Sequence, residues 1–170
     1  MSDNPPTAIG LGPVDPGLLK TGLYIITYAE TSGFAALAND NNGSAVSQWT
    51  IDPNTVQEIP ADIKWNFTLL DNGNYTIASY PYGNFATVTA SPRHGDVVKG
   101  RPKSHEWIIR TSKLHNQGLY LYLVPISAPS QSISPDDNDS LYWGFSSNSA
   151  TQVKMTDSAD TLWMITPVDP

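Results

Sequence analysis

The strongest constraint on the fold is a pair of short patterns that recurs three times in a fixed order. A glycine two residues before a tyrosine opens each unit, at Gly22, Gly73 and Gly118. A tryptophan two residues before Phe or Ile closes each unit, at Trp65, Trp107 and Trp163. Apolar and polar residues alternate around these patterns, which is the period of a half-buried strand. Recurrence at about 50 residues indicates an array, a propeller or a closed threefold structure.

Three units are too few for most propellers, and turn residues divide each unit into short strands. We therefore predict an all-β fold, a β-trefoil, in which three pseudo-symmetric four-strand units form a six-strand barrel with a three-hairpin cap. The predicted strands are 22–29, 34–38, 45–51, 63–70, 75–79, 85–90, 96–99, 105–111, 119–125, 141–145, 152–155 and 161–166. No segment has a clear 3.6-residue period, which predicts little or no helix. The alternative is that the two patterns match by chance in an aromatic-rich chain.

The stretch from Trp65 to Ile77 predicts a hairpin. Trp65, Phe67 and Leu69 alternate with less apolar positions before Asn72-Gly73, and the alternation then resumes. Asn-Gly favours a type I′ turn, because both of its central residues need a positive φ.

The sequence of 170 residues suits one domain with a sizeable core, preceded by an arm. Residues 1–21 contain four prolines and three glycines, which disfavour a regular strand. The trefoil domain is predicted to span 22–170. The apolar residues of the arm leave two alternatives open, packing along the barrel or a disordered tail.

Charge and composition restrict the partners and the compartment. The net charge is −7 and no run of Lys or Arg occurs, so we expect no nucleic-acid partner. No apolar run approaches the length of a membrane span, and we expect no membrane partner. Cysteine is absent and the N-terminus does not resemble a secretory signal, which favours a cytoplasmic protein, expected to be a monomer.

The residues that carry chemistry do not form a catalytic pattern. The three histidines, His94, His105 and His115, stand in unrelated contexts without metal-ligand spacing. A nucleophile elbow and a phosphate loop are also missing from the sequence. The acidic stretch 136–140 lacks the glycine and the distal glutamate of a calcium loop. We therefore predict no enzymatic activity, no metal and no cofactor.

A carbohydrate-binding trefoil is one functional alternative. Ricin-type lectin repeats carry Gln two residues before a Trp, whereas Ser47, His105 and Thr161 precede Trp49, Trp107 and Trp163 here. The lectin signature is therefore not met. Aromatic residues at 80, 82 and 143 could still stack on a sugar ring or could pack within the protein.

Two polar loops suit a protease inhibitor, which needs an exposed loop on a rigid base. The first contains Asn39, Asp40, Asn41, Asn42, Gly43 and Ser44 and has no apolar side chain. The second, Ser91–Gly95, presents Pro92, Arg93 and His94, and its arginine could enter the acidic pocket of a trypsin-like enzyme. Both loops could also be plain hairpin connections.

A family resemblance adds to this hypothesis. Trp65-x-Phe67 with Asn72–Ile77, Glu106–Ile109, and Leu141–Val168 together resemble the fungal β-trefoil serine protease inhibitors, the cospin-like family, which is related in fold to the mycocypins. The resemblance implies a cytosolic protein that inhibits trypsin-like serine proteases. It also implies that the loop between the second and third strands, Asn39–Ser44, is inhibitory, with an asparagine as the specificity residue. The arm and the lack of Lys or Arg in that loop depart from the family.

Overall fold

A computed structural model describes residues 19–28, 30–52, 54–55, 57–109, 123–124, 141–145, 151–157 and 163–169. The regular secondary structure of the described part consists of short strands and one 3-10 helix at Ala61–Ile63. In chain order the strands are β1 (Gly22–Tyr28), β2 (Phe34–Ala36), β3 (Ser44–Ala45), β4 (Ser47–Trp49), β5 (Lys64–Leu69), β6 (Tyr75–Ser79), β7 (Phe85–Thr87), β8 (Lys99–Arg101), β9 (Leu123–Val124), β10 (Tyr142–Gly144), β11 (Lys154–Thr156) and β12 (Trp163–Pro167).

Six segments form the barrel. β1 pairs antiparallel with both β12 and β5, β5 pairs with β6, and β12 pairs with β9. Tyr75 forms an isolated bridge with Trp107, which adds the sixth segment beside β6. The pairing that would close the barrel, between the Trp107 segment and β9, is not among the described pairings, because residues 110–122 lie outside the described ranges. The ring of antiparallel strands is therefore nearly complete.

Three hairpins cap one end of this barrel, one from each unit: β2 with β4, β7 with β8, and β10 with β11. They meet at Val46, Val98 and Val153, each with no exposed surface. The Val46 N–H donates to the Val98 carbonyl (2.8 Å), Val98 to Val153 (2.9 Å) and Val153 to Val46 (2.8 Å). This closed triangle of backbone hydrogen bonds marks the pseudo-threefold axis. Barrel, cap and axis confirm the predicted β-trefoil.

The tryptophans that close the units hold equivalent places in the core. Trp65, Trp107 and Trp163 have no exposed surface. Their indole Nε1–H groups donate to the second strand of the same unit, to the carbonyls of Ala35 (2.9 Å), Ala86 (2.8 Å) and Trp143 (3.1 Å). A buried indole N–H needs such a partner. The predicted equivalence of the three tryptophans is confirmed.

Of the three opening tyrosines, two lie in the described part of the chain. Tyr24 and Tyr75 are buried, and their hydroxyls donate to the carbonyls of Lys20 (2.7 Å) and Leu19 (2.9 Å). Leu19 is itself buried, so the last residues of the predicted arm pack on the barrel. Tyr120 and residues 1–18 lie outside the described residues.

The β5–β6 turn differs from the predicted type I′ turn. The Gly73 N–H donates to the Leu70 carbonyl (3.0 Å) and Gly73 has φ +85°, but Asn72 does not have a positive φ. This is the pattern of a type I turn followed by a glycine bulge. The side chains explain the preference: Asn72 Oδ1 accepts from the Asn74 N–H (2.9 Å), while the Asn74 and Asn72 amides both donate to Glu106. These amides hold the pKa of Glu106 below its ordinary value.

The third strands also differ from the predicted bounds. The predicted strand 45–51 is divided into β3 and β4, because Val46 turns its backbone toward the other two units. The predicted strand 96–99 lies instead at Lys99–Arg101, and 152–155 lies at Lys154–Thr156. Of the predicted strand 105–111, the described residues contribute the single bridge at Trp107. The prediction of little helix is confirmed for the described part, whose helices do not include one long and apolar enough to cross a membrane.

Burial of Tyr28 makes the stability of the fold depend on pH in the alkaline range. Burial first, and then the hydrogen bond that its hydroxyl donates to Glu30 Oε2 (2.9 Å), raise the pKa of Tyr28 from 10.0 to about 12. The folded chain keeps a proton that the unfolded chain loses above pH 10. The resulting stabilisation is complete below pH 10 and is lost as the pH rises through about 12.

We therefore expect the free energy of unfolding of the Tyr28→Phe variant to fall less steeply between pH 10 and 12 than that of the wild type. Urea unfolding at a series of alkaline pH values measures this slope. Tyr80→Phe, at a more exposed tyrosine, is the control. Parallel slopes for the wild type and Tyr28→Phe would contradict the assignment.

Candidate functional site

A cleft of about 250 Å³ opens on the outer side of unit one. Its walls are mostly apolar and come from β1, β2 and the segment that leads into β5. The lining residues are Ile25, Phe34, Ile51, Gln57, Glu58, Ile59, Pro60 and Ile63.

Strand alternation places the walls. On β1, Tyr24 and Ile26 are buried in the barrel, so Ile25 between them faces outward into the cleft. The 3-10 helix fixes the opposite wall, since the Leu37 N–H donates to the Asp62 carbonyl (3.1 Å) and Ile63 is buried beside it. Both walls therefore stand on the barrel and its cap.

Two polar side chains stand at the mouth of the cleft. Gln57 and Glu58 are exposed, and Ile59 beside them is 43% exposed. An amide and a carboxylate offer donors and acceptors above an apolar floor. A concave apolar surface with a few polar groups is the usual form of a small-molecule site.

The two predicted inhibitory loops are the same structural feature in two units. Each has a glycine at positive φ three residues before its axis valine, Gly43 (+90°) or Gly95 (+92°). The glycine N–H then donates to the next unit, to the carbonyl of Gly100 (2.8 Å) or Met155 (2.7 Å). In the third unit, residues 146–150 lie outside the described ranges.

Hydrogen bonds hold the Asn39–Ser44 loop at both ends. Asn39 Oδ1 accepts from the Asn41 N–H (3.0 Å) and from the Ser44 hydroxyl (2.5 Å), and the Ser44 N–H donates to the Asn41 carbonyl (3.0 Å). The Asn84 amide also donates to the Asp40 carbonyl (3.0 Å). The loop is exposed at Asp40, Asn41 and Asn42 but rests on fixed neighbours.

The second loop is built in the same way around Arg93. Its N–H donates to Asp96 Oδ2 (2.8 Å), and its carbonyl accepts from the Asp96 N–H (3.0 Å). Pro92 is buried, whereas Arg93 and His94 are exposed, with His94 Nδ1 3.5 Å from Asp157 Oδ1.

These bonds distinguish the candidate specificity residues. A substrate-like residue offers its own N–H and carbonyl to the protease, and the carbonyl enters the oxyanion hole. Both groups are engaged within the loop at Arg93 and at the equivalent Asn41. Among the described hydrogen bonds of this loop, the backbone of Asn42 is not engaged. Asn42 is thus the better placed of the predicted residues.

Of the remaining sequence candidates, His94 and His105 lie in the described part of the chain. His105 packs on Trp107 with ring centroids 4.6 Å apart, His94 is on the cap, and His115 and residues 136–140 lie outside the described ranges. Among the described residues no three His, Asp or Glu side chains cluster as metal ligands.

The three aromatic candidates for sugar stacking differ in exposure. Trp143 has no exposed surface. Tyr82 is half-buried, and its hydroxyl lies within hydrogen-bond distance of both the Ala38 carbonyl (3.0 Å) and Asp62 Oδ1 (2.9 Å). Tyr80 is 42% exposed, with Lys64 Nζ 5.7 Å from its ring centroid. Tyr80 is therefore the candidate of these three that presents a ring to solvent.

The register also corrects the lectin comparison. The tryptophan of unit one that matches Trp107 and Trp163 is Trp65, not Trp49, so the residue two before it is Ile63. Ile63 is not glutamine, and the signature remains unmet in that unit.

Sequence reasoning did not find the cleft. Its residues come from β1, β2 and residues 51–63, and no short motif joins them. The available signal was the set of isoleucines at 51, 59 and 63, of which 51 and 63 lie at the ends of predicted strands and 59 lies among the turn residues between them.

Comparison with known proteins supports the fold. No family model matches the chain, and no curated protein matches it by sequence. The Rhizoctonia solani agglutinin is 12% identical with a TM-score of 0.65, and the match covers 92% of this chain and 100% of the agglutinin. The Macrolepiota procera ricin B-like lectin, solved with lactose, is 12% identical with a TM-score of 0.62, covering 89% and 99%. The designed threefold protein ThreeFoil is 16% identical with a TM-score of 0.62, covering 86% and 99%.

Proposed function

We propose that this protein binds carbohydrate without chemical reaction and that the unit-one cleft holds the sugar. The observation that carries the proposal is the cleft itself, with an aromatic wall at Phe34 and two polar side chains at its mouth. The fold likeness to an agglutinin and a lectin supports it as an analogy.

The size and chemistry of the cleft suit one sugar ring. About 250 Å³ is just below the range of about 300–1,000 Å³ for drug-sized ligands. The C–H face of a sugar can stack on Phe34. The Gln57 amide can donate to and accept from sugar hydroxyls, and the Glu58 carboxylate can accept from them. Five other apolar residues leave few partners for hydroxyls deeper in the cleft. A sugar with an apolar substituent is therefore preferred over a plain hexose.

We expect Phe34→Ala to weaken binding of the best neutral glycan about tenfold, because the stacking surface is removed. A glycan array identifies this ligand, and calorimetric titration measures its affinity for the wild type and the variant. Tyr80→Ala is the matched control, since Tyr80 is an exposed aromatic residue outside the cleft lining. If Tyr80→Ala loses binding while Phe34→Ala keeps it, the cleft is not the sugar site.

Lactose provides a separate test, because the glutamine signature of ricin-type repeats is missing. We expect the protein to pass through a lactose column without retention. Retention with elution by free lactose would contradict this expectation and would place galactose recognition in residues other than that glutamine.

Inhibition of a trypsin-like serine protease is a second proposed function, supported by the anchoring of the Asn39–Ser44 loop. The hydrogen bonds of Asn39, Gly43 and Asp40 fix the loop before binding, so little ordering entropy would be lost on contact with a protease. The specificity residue in this proposal is Asn42, whose backbone is not engaged in the loop.

We expect Asn42→Ala to lower trypsin inhibition by about tenfold or more, if this loop enters the active site. Inhibition assays compare it with Asn41→Ala in the same loop and with Arg93→Ala in the equivalent loop. Arg93→Ala alone abolishing inhibition would place the site in the second loop instead. A wild type inactive against trypsin would remove this proposal and leave the carbohydrate proposal untouched.

A further inference from the structure

The cross-strand pair of Phe34 has a counterpart in unit two with a different chemistry. Phe34 on β2 lies directly opposite Trp49 on β4. In unit two, Phe85 on β7 lies directly opposite Arg101 on β8. Residues directly opposite in an antiparallel pair share one face of the sheet. Unit two therefore keeps the phenylalanine and has an arginine where unit one has a tryptophan.

Two further basic residues, Lys99 and Lys103, lie close to Arg101 in the chain. Gly100 is buried, and a Cβ there would lie 2.7 Å from Leu37 Cδ2, so this residue faces the cap interior. Strand alternation then directs Lys99 and Arg101 to the opposite, outer face. Lys103 follows two residues later and is exposed, as is Arg101, while Lys99 is half-buried. We call Phe85, Lys99, Arg101 and Lys103 the β8 surface.

In the described part of the chain, carboxylates do not form ion pairs with the β8 surface. Within the described ranges, the ion pair found joins His94 to Asp157, and none involves Lys99, Arg101 or Lys103. These three are a third of the nine basic residues in a chain of net charge −7. The equivalent positions of unit one hold Ser47, Trp49 and Ile51. The fold therefore does not require the cations.

The backbone under the β8 surface is fixed. β8 lies between β7 and β3, with Ala86 and Ser44 both opposite Gly100. Arg101 Nη1 lies 3.5 Å from Asn42 Oδ1, which keeps the guanidinium near the exposed polar loop. A planar guanidinium with free N–H groups suits bidentate recognition of a carboxylate or a sulfate-like oxyanion.

We infer that the β8 surface binds an anionic saccharide, whose carboxylate or sulfate groups meet Arg101, Lys99 and Lys103 while its sugar ring packs on Phe85. The amide of Asn42 next to Arg101 offers donors and acceptors to hydroxyls. This inference extends the proposed carbohydrate binding to a second unit, but it does not need the unit-one cleft to be occupied.

Other anionic partners fit less well. Single-stranded nucleic acid is held by successive aromatic platforms, and the β8 surface has one, Phe85. An acidic protein partner would need a deep apolar anchor at the centre of its contact with the β8 surface. Arg101, Pro102 and Lys103 are instead all exposed.

The test measures binding of hyaluronan (carboxylate only), dextran sulfate (sulfate only) and neutral dextran to the full chain by calorimetric titration. We expect the wild type to bind at least one charged polymer, more weakly as salt rises, and not to bind neutral dextran. Arg101→Gln should weaken binding about tenfold, and Lys99→Gln/Arg101→Gln/Lys103→Gln should abolish it. Lys20→Gln removes one exposed cation elsewhere and should leave affinity unchanged. The two charged polymers show which anionic group is recognised.

Several results would overturn the inference. These are a wild type that binds neither charged polymer, a triple variant that binds like the wild type, and tighter binding of single-stranded DNA or polyglutamate than of either polymer. Phe34→Ala separates this inference from the proposed function, because it should weaken binding of the neutral glycan about tenfold and leave binding of the anionic polymer unchanged. If Phe34→Ala loses the anionic polymer while Arg101→Gln keeps it, the ligand lies in the unit-one cleft and the β8 surface is not a site. Urea unfolding of each variant confirms that the comparison is made on folded protein.

Discussion

Replacement of Trp107 by alanine is expected to lower the free energy of unfolding by about 3–5 kcal/mol. Trp107 has no exposed surface and contacts Trp143 edge-on, with ring centroids 5.5 Å apart. The indole also donates to the Ala86 carbonyl (2.8 Å), so its removal leaves both a large cavity and a buried acceptor without its donor. Urea unfolding followed by circular dichroism measures the loss.

Two variants check the cause of this loss. Trp107→Phe keeps most of the ring volume but not the N–H. Its free energy of unfolding should lie between those of the wild type and Trp107→Ala. Tyr80→Ala, at an exposed aromatic residue, should cost less than about 1 kcal/mol. A loss below about 1 kcal/mol for Trp107→Ala would show that Trp107 is not part of a closed core.

Replacement of Val98 by aspartate is expected to cost about 4 kcal/mol or more, which is enough to unfold a marginally stable domain. Val98 has no exposed surface and lies at the axis where the three hairpins meet. Its backbone already bonds to Val46 and Val153, and a carboxylate there would be buried without a cation. Thermal and urea unfolding measure the effect.

The matched controls for this substitution are Val98→Thr and Ser91→Asp. The threonine keeps the shape and buries one hydroxyl, for which we expect a loss of about 1–3 kcal/mol. The aspartate at the exposed Ser91 adds the same charge outside the axis and should change stability by less than about 0.5 kcal/mol. A Val98→Asp variant as stable as Ser91→Asp would show that the axis is open to water.

Much of the fold could be predicted because a closed threefold barrel requires similar residues at corresponding positions. Each unit must bury one large aromatic side chain and must begin its first strand in the same way, so Trp65, Trp107 and Trp163 recur in order. The alternation around them follows from the two-residue period of a strand with one buried face. The lengths of the cap strands could not be predicted. Val46 interrupts its strand because its backbone bonds to Val98 and Val153, which belong to the other two units.

The candidate sites could be predicted from the sequence far less well than the fold, because they depend on contacts made only in the tertiary structure. The polar loop at Asn39–Ser44 was visible in the sequence because its residues are adjacent in the chain. The cleft was not visible in the sequence, because Ile25, Phe34 and Ile63 meet only when β1, β2 and the 3-10 helix pack together. The proximity of Arg101 to Asn42 likewise arises from the pairing of β3 with β8, a contact between residues 59 positions apart. The sequence by itself thus determined the threefold barrel, because each unit carries its own closing tryptophan and strand alternation. Only the tertiary structure decided which distant side chains share a surface, because that depends on how one unit pairs with the next.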